Sequence, residues 1–413
     1  MKIRGRLRDG ARSSRRNRPG LGVALVAAGL ALAPAIGLAY PGPALAREAA
    51  SPELEAASWV LVDPGSGRYL AGERPDERRA PAATASVMTA LVALEEAEDL
   101  DAEVTVPKEA ERYVGFTYSN VGLIAGERLS VRELLQAAMI SSGTDAAYTL
   151  AHHLGFGDPQ HFVDLMNAKA RELGLRNTHF TNPTGQDEPG NHSTAGDLAL
   201  IAREAMQDPR FAEIVGAREA TVSTQTRKID LFNTNELLYS YPVSDGVKTG
   251  SSLQAGPSVV ASAESGGGSY IAVVLGAGSA QGASDSARTV LQYGFANYES
   301  RPLVREREEF AQLPLPYKKG QEVTLVAEKK LEALVGPGSE VERRVTSGQA
   351  PESARAGERL GSVEVFVDGA KVGESPLVTA ESYLRPSVWD KARLAALWPI
   401  ERISASLNRY AAG

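Results

Sequence analysis

None of the 413 residues of this chain is a cysteine. Disulfides and thiol nucleophiles are therefore excluded, and stability has to come from packed cores. The five histidines, His152, His153, His161, His179 and His192, are not spaced as a metal-ligand set, so no metal and no other cofactor is expected. His192, just before Ser193-Thr194-Ala195, reads as a structural loop position. An excess of positive charge is missing too. The formal charge is −7, which argues against a nucleic-acid partner, since binding phosphates needs a basic face. The acidic pair Glu95-Glu96 reads as the solvated face of a helix.

What positive charge there is gathers at the start. Lys2, Arg4, Arg6, Arg8, Arg12, Arg15, Arg16 and Arg18 precede an apolar stretch over 21–40, and Ala44-Leu45-Ala46 follows as a small-x-small cleavage site. Residues 1–46 thus read as a signal peptide or, since the apolar stretch approaches the length of a spanning helix, as an N-terminal anchor. Arg15-Arg16 lacks the apolar residues expected after a twin-arginine pair. Loss of this segment removes eight basic and one acidic side chain and takes the formal charge from −7 to −14. The expected location is extracytoplasmic: secreted, or associated with the outer face of the cytoplasmic membrane.

The remaining chain is long enough for one large and one small domain. Trp59-Val60-Leu61-Val62 and Arg68-Tyr69-Leu70 flank Asp63-Pro64-Gly65-Ser66-Gly67, a strand-turn-strand pattern. Met88, Leu91, Val92 and Leu94 fall at helical spacing, which predicts a helix from about Ala83. Helices are also expected over 131–139, where Ser130 and Glu133 form a capping box, and over 145–153, 162–173, 194–205 and 283–298. Apolar runs at 258–263 and 270–275 enclose a Gly/Ser-rich turn and read as a hairpin. Strands near both ends of residues 50–300 with helices between them predict an antiparallel sheet flanked by helices, an α/β (α+β) fold. Residues 301–384 read as a small all-β domain, with strands at 323–327, 331–335 and 360–367, a hairpin turn at Asp368-Gly369 and a polar loop over 345–357. In the tail, 385–413, Trp389, Ala392, Ala396, Ile400, Ile403, Leu407 and Tyr410 share one helical face, interrupted by Pro399. That face is suited either to a membrane surface or to the β domain itself.

Three short motifs carry the chemistry: Pro81-Ala82-Ala83-Thr84-Ala85-Ser86-Val87-Met88-Thr89, Ser142-Gly143-Thr144 and Lys248-Thr249-Gly250. Their order matches the Ser-x-x-Lys, Ser-x-Asn and Lys-Thr-Gly of penicillin-recognising serine enzymes. With Gly126-Glu127-Arg128-Leu129-Ser130-Val131, Phe180-Thr181-Asn182-Pro183-Thr184-Gly185 and Ser193-Thr194-Ala195-Gly196-Asp197-Leu198, they make residues 55–385 similar to the low-molecular-mass penicillin-binding proteins, the D-alanyl-D-alanine carboxypeptidases of peptidase family S11. The resemblance implies a β-lactamase/transpeptidase-like fold. It also implies a serine that attacks the terminal D-Ala-D-Ala bond of peptidoglycan stem peptides, with a lysine one helical turn on that assists removal of its proton.

By that resemblance the nucleophile position is Ala83 and the lysine position is Ser86. Ser86-Val87-Met88-Thr89 is no shifted copy, because Thr89 stands where the lysine would be. Ser142 resembles the proton-relay serine. Thr144 replaces an asparagine and offers one hydroxyl where the amide has a donor and an acceptor arm. Lys248, Thr249 and Gly250, followed by Ser252, would be the substrate-binding edge that pairs with peptide backbone and attracts its carboxylate. An arginine common near the carboxylate site is replaced by Ala283. The expected outcome is a catalytically impaired pseudoenzyme that binds peptidoglycan stem peptide or a cell-wall protein. Two alternatives stay open: a working D,D-carboxypeptidase that uses Ser86 or Ser142, and a structural module with a vestigial cleft.

Overall fold

The computed structural model describes residues 51–392, apart from 317, 319, 386 and 390. The predicted export segment and the predicted tail beyond 392 lie outside these residues. Among the described residues no helix is long and apolar enough to cross a membrane.

Five antiparallel strands make the central sheet, in the order Tyr69–Glu73, Ser58–Val62, Gly268–Leu275, Ser258–Ser265, Ser244–Gly250. Helices cover both faces, which is why its strands read as unbroken apolar runs; burial on both sides removes the polar half of the alternation. Val60, Val62, Val260, Ile271 and Val273 point into the larger core, against the helices before Ser244. Trp59, Leu61, Val259, Ala261, Ala272 and Val274 point the other way, against Ala280–Asn297.

The helix Ser86–Glu96 is the hub of the larger core. Residues 86–94 are buried around its whole circumference, as expected of a helix with neighbours on every side. Val131–Ile140 packs beside it and starts with the predicted capping box: Glu133 N–H donates to Ser130 Oγ at 3.2 Å and Ser130 N–H to Glu133 Oε2 at 2.9 Å. Glu95 is not merely solvated, because it takes the ammonium of Lys169 at 2.7 Å.

The helix Pro209–Gly216 and the hairpin Glu219–Ser223/Lys228–Phe232 were not expected. The helix had a readable signal, an Asp208 N-cap before Pro209. The hairpin buries only Val222 and Leu231 in its strands, too few apolar residues for a periodic signal. It is fastened from outside by Arg227, which grips Glu127 through Nε at 2.8 Å and Nη2 at 2.9 Å.

The C-terminal sheet runs Glu309–Pro314, Glu322–Ala327, Ala370–Thr379, Arg359–Val367, Val341–Ser347 around its own core, with Glu299–Val304 and Leu331–Val335 paired beside it. The predicted 345–357 loop begins too early, since 345–347 end the strand Val341–Ser347. That strand is exposed throughout and lies at a sheet edge, so its polar sequence is what an edge strand tolerates. Half-buried Arg68, just before the strand Tyr69–Glu73, ties the first domain to the second, reaching Asp368 at 2.8 Å and the Leu334 carbonyl at 2.5 Å.

Glu127 gives a pH-dependent test of the clamp. Its Arg227 hydrogen bonds hold its pKa down at about 2. A depressed carboxylate stabilises the fold above its unfolded value near 4.5, and that contribution disappears as pH falls toward 2. Arg227 is partly exposed, so the contribution is on the order of 2 kcal/mol. Urea unfolding at pH 7 and pH 3 should show a smaller loss of stability on acidification for Glu127→Gln than for the unaltered chain. Equal losses would mean the clamp contributes nothing.

Candidate functional site

Three segments distant in sequence meet at a groove of about 260 Å³ beside the sheet edge. The first is the entry to the hub helix. Residues Ala82–Ala85 form a 3-10 turn held by Thr84 Oγ1, which donates to the Pro81 carbonyl at 2.5 Å. Ala82 sits at φ +47°, and the loop behind it presses close: a Cβ on Gly185 would lie 1.7 Å from the Ala82 carbonyl oxygen. Only glycine fits there. Asn182 shapes that loop by accepting from the N–H groups of Thr184, Gly185 and Gln186, and Thr89 Oγ1 donates to the Pro183 carbonyl at 2.5 Å. The Phe-Thr-Asn-Pro-Thr-Gly stretch is thus a brace for the helix entry. It leaves Ala83 lining the groove, while Ser86, 5% exposed, is not among the lining residues and makes no side-chain hydrogen bond among the described residues.

The second segment follows Val131–Ile140. Ser142 sits at φ +54°, and Gly143 N–H closes back on the Ala137 carbonyl at 3.0 Å. Thr144 opens the next helix, and its N–H donates to the Ser119 carbonyl at 2.9 Å. Asp145, fully buried, collects the N–H groups of Val121, Leu123 and Ala146. Burial outweighs these donors and leaves its pKa raised.

The third segment is the edge strand Ser244–Gly250. Its end approaches the helix entry so closely that a Cβ on Gly250 would lie 2.8 Å from the N atoms of Ala83 and Thr84. Lys248 is 0% exposed. Its ammonium donates to Ser142 Oγ and, at 3.0 Å, to the Thr249 carbonyl. Among the described residues no carboxylate pairs with it, and burial lowers its pKa to about 7. Hydroxyls continue the line: Ser142 Oγ to Thr234 Oγ1 at 3.3 Å, and Thr234 Oγ1 to Thr249 Oγ1 at 2.7 Å.

Of the residues singled out from sequence, Ala83, Ser142, Thr249 and Gly250 line the groove. Ser86, Thr144, Lys248 and Ser252 do not. Lys248 stands behind the wall, with its ammonium on two residues that line it, Ser142 and Thr249. Ser252 Oγ donates to Asp187 at 2.6 Å and accepts from Ala255 N–H, so it shapes the turn while Ser251 takes the groove position. Ala283 lines the wall opposite. Ser119, Thr234 and Glu236 also line it and were missed; they belong to loops whose approach depends on Asp145 and Asn235. His192 lies elsewhere, its backbone bridged to His179. Among the described residues no cluster of His, Asp or Glu is arranged to hold a metal.

The groove therefore offers a free sheet edge, a row of hydroxyls and a serine on an amine. The D-alanyl-D-alanine carboxypeptidase family model matches residues 45–279, and the penicillin-binding protein 5 C-terminal domain model matches 298–384. D-alanyl-D-alanine carboxypeptidase DacF of Bacillus subtilis is 32% identical over 79% of this chain and 85% of its own length. Penicillin binding protein 5 from Haemophilus influenzae superposes with a TM-score of 0.68 at 29% identity, covering 81% of this chain and 98% of that one. The Streptomyces K15 DD-transpeptidase superposes with a TM-score of 0.57 at 36% identity, covering 60% of this chain and 99% of that one.

Lys248 generates a second pH test. Its folded pKa of about 7 lies below the ordinary lysine value of 10.5. Between these values the unfolded chain binds more protons than the folded one, so this residue makes stability rise with pH across that window and costs most below pH 7. The slope approaches about 1.4 kcal/mol per pH unit. Unfolding measured at pH 7, 8 and 9 should show that rise in the unaltered chain and lose it in Lys248→Met. Parallel pH profiles would mean the ammonium keeps its proton throughout.

Proposed function

The chain belongs to the D-alanyl-D-alanine carboxypeptidase family, and we propose that it is a non-acylating member whose groove holds cell-wall peptide without cleaving it. The observation that carries this reading is the Ala83 methyl lining the groove at the entry of the hub helix, with Ser86 one turn on in place of a lysine. A methyl cannot attack a carbonyl. Loss of the serine or of its base in a nucleophilic serine enzyme costs on the order of a millionfold in turnover, about 8 kcal/mol of barrier. Oxyanion and binding effects alone leave about a thousand- to ten-thousandfold over water. Thr144 cannot take over the two-armed hydrogen bonding of an asparagine. The free edge at Ser244–Gly250 supports binding of an extended peptide by strand addition.

This reading places the protein outside the cytoplasm, delivered by residues 1–46, with peptidoglycan stem peptide or a cell-wall protein as partner. Contact of the tail with the membrane surface is supported by Val388 and Trp389, each more than 80% exposed, since apolar side chains held in water suit an interfacial surface.

A second reading has its own observation. Ser142 Oγ accepts from Lys248, an amine that burial brings to a pKa of about 7. At neutral pH about half of such lysines lack the extra proton and are suited to act as a base toward a serine. Ser142 would then be the nucleophile of a slow D,D-carboxypeptidase.

A fluorescent penicillin separates the two, because a stable covalent band requires a nucleophile. The expected result is no band from the unaltered chain. A band should appear when Ala83→Ser, Ser86→Lys and Thr144→Asn are combined. A band from the unaltered chain that vanishes in Ser142→Ala would establish the second reading. One that vanishes in Ser86→Ala would make Ser86 the nucleophile and overturn both.

A further inference from the structure

We infer that the hollow where the two domains meet is a second binding site and that it takes a neutral saccharide. It lies at the opposite edge of the central sheet from the groove, and it does not rest on the reading of the groove.

Three parts of the chain surround a space of about 630 Å³, larger than the groove. One is the start of the edge strand Tyr69–Glu73. Another is the end of the helix Ala280–Asn297. The third is a pair of turns of the C-terminal domain, near Gly336 and Asp368. Hydrogen bonds across the joint fix the walls. Tyr298 Oη donates to the Leu70 carbonyl at 2.6 Å. Arg68 is tied to Asp368 and to the Leu334 carbonyl, and Asp368 also accepts from Ser339 Oγ and Glu340 N–H, each at 2.9 Å. A Cβ on Gly336 would lie 2.7 Å from the Tyr298 ring, so the turn closes on that ring more tightly than a side chain would allow. The hollow is a cavity with fixed walls at a domain joint, a common place for a ligand site.

The lining decides the class of ligand. Its two charged residues, Arg68 and Asp368, are paired with each other, so an ionic ligand finds no unpaired charge on the wall and would lose solvation without return. Aliphatic side chains are few, Leu70, Pro337 and Ala370, too few to enclose an acyl chain. Tyr69, Tyr293 and Tyr298 supply most of the apolar surface, and the last two rings meet edge to face with centres 6.2 Å apart. Asn297 donates through Nδ2 to the Tyr293 carbonyl at 2.8 Å, and its Oδ1 accepts no hydrogen bond among the described residues. Exposed Ser51 adds a hydroxyl to the wall. A sugar ring carries C–H groups on its faces and hydroxyls around its rim. The negative face of a tyrosine ring suits the first, and amide and hydroxyl groups pair with the second.

Calorimetry on the full chain tests this with three probes: di-N-acetylchitobiose, a neutral disaccharide; N-acetylmuramic acid, an anionic sugar; and a proline-rich peptide, the other class of ligand that aromatic-lined sites receive. The disaccharide should bind at millimolar concentration, and the other two should give no heat. Ala370→Trp and Ser51→Trp add bulk to the wall and should each weaken the disaccharide about tenfold or more. Asn297→Ala should weaken it about two- to tenfold, the range of one lost hydrogen bond. Ser251→Trp, which fills the groove instead, should leave its binding unchanged. Unchanged unfolding midpoints will show that the variants are folded, and Ser51, exposed and ahead of the first strand, keeps the test open if Ala370→Trp is not. Binding lost in Ser251→Trp but kept in Ser51→Trp would put the sugar in the groove and overturn the inference. Tighter binding of the acid or the peptide, or no heat from the disaccharide, would overturn it as well.

Discussion

The contact between the Lys248 ammonium and Ser142 Oγ is the join on which this molecule turns. It links the outermost strand of the sheet to the loop between two helices of the larger core. A buried ammonium without a carboxylate is costly, because desolvation penalises its charged form. The chain keeps one where a methionine would pack without that cost. What the amine provides in return is geometry: a donor of fixed position that holds Ser142 on the groove wall and, through the Thr249 carbonyl, holds the end of the edge strand.

Around that join the groove is shaped by backbones brought closer than side chains would allow. Gly250 abuts the N atoms of Ala83 and Thr84, and Gly185 abuts the Ala82 carbonyl. A side chain at either glycine would push the helix entry away from the strand or from its brace. The same entry carries Ala82 at positive φ, a conformation that costs a non-glycine residue on the order of 1 kcal/mol. On the proposed reading this turn carries a methyl where the family's serine would stand, and the close fit of Gly185 and Gly250 around it favours a groove that still holds a ligand.

How far the sequence could be read depends on the range of the forces involved. Local signals were legible: the Ser130/Glu133 cap, the hairpin at Asp368-Gly369, and the apolar runs of the central strands. The three motifs were legible as a set because their order survives in the chain. Long-range burial was not. Nothing local to Lys248 tells that its side chain is enclosed, since the enclosure comes from Ser142 and its loop, far away in sequence. Ser251 and Ser252 are neighbours of one type, and which of them faces the groove is settled by Asp187 capturing Ser252. The strand Val341–Ser347 has no apolar alternation to reveal it, because an edge strand exposed on both faces needs no apolar face.

Electrostatics also joins the third motif to the second. Lys248 is enclosed and its charge is depressed by burial, yet its ammonium rests on Ser142 Oγ and the Thr249 carbonyl, and both residues line the groove. A charge in a medium of low polarity acts more strongly over a few ångströms than one in water, so enclosure does not remove Lys248 from the field of the groove. On the proposed reading, Ala83 and Ser86 remove the acyl chemistry while Lys248 and the hydroxyl row remain to orient a peptide. A serine restored at position 83 alone would still lack a base one turn on, which is why the nucleophile and its base have to be considered as one unit.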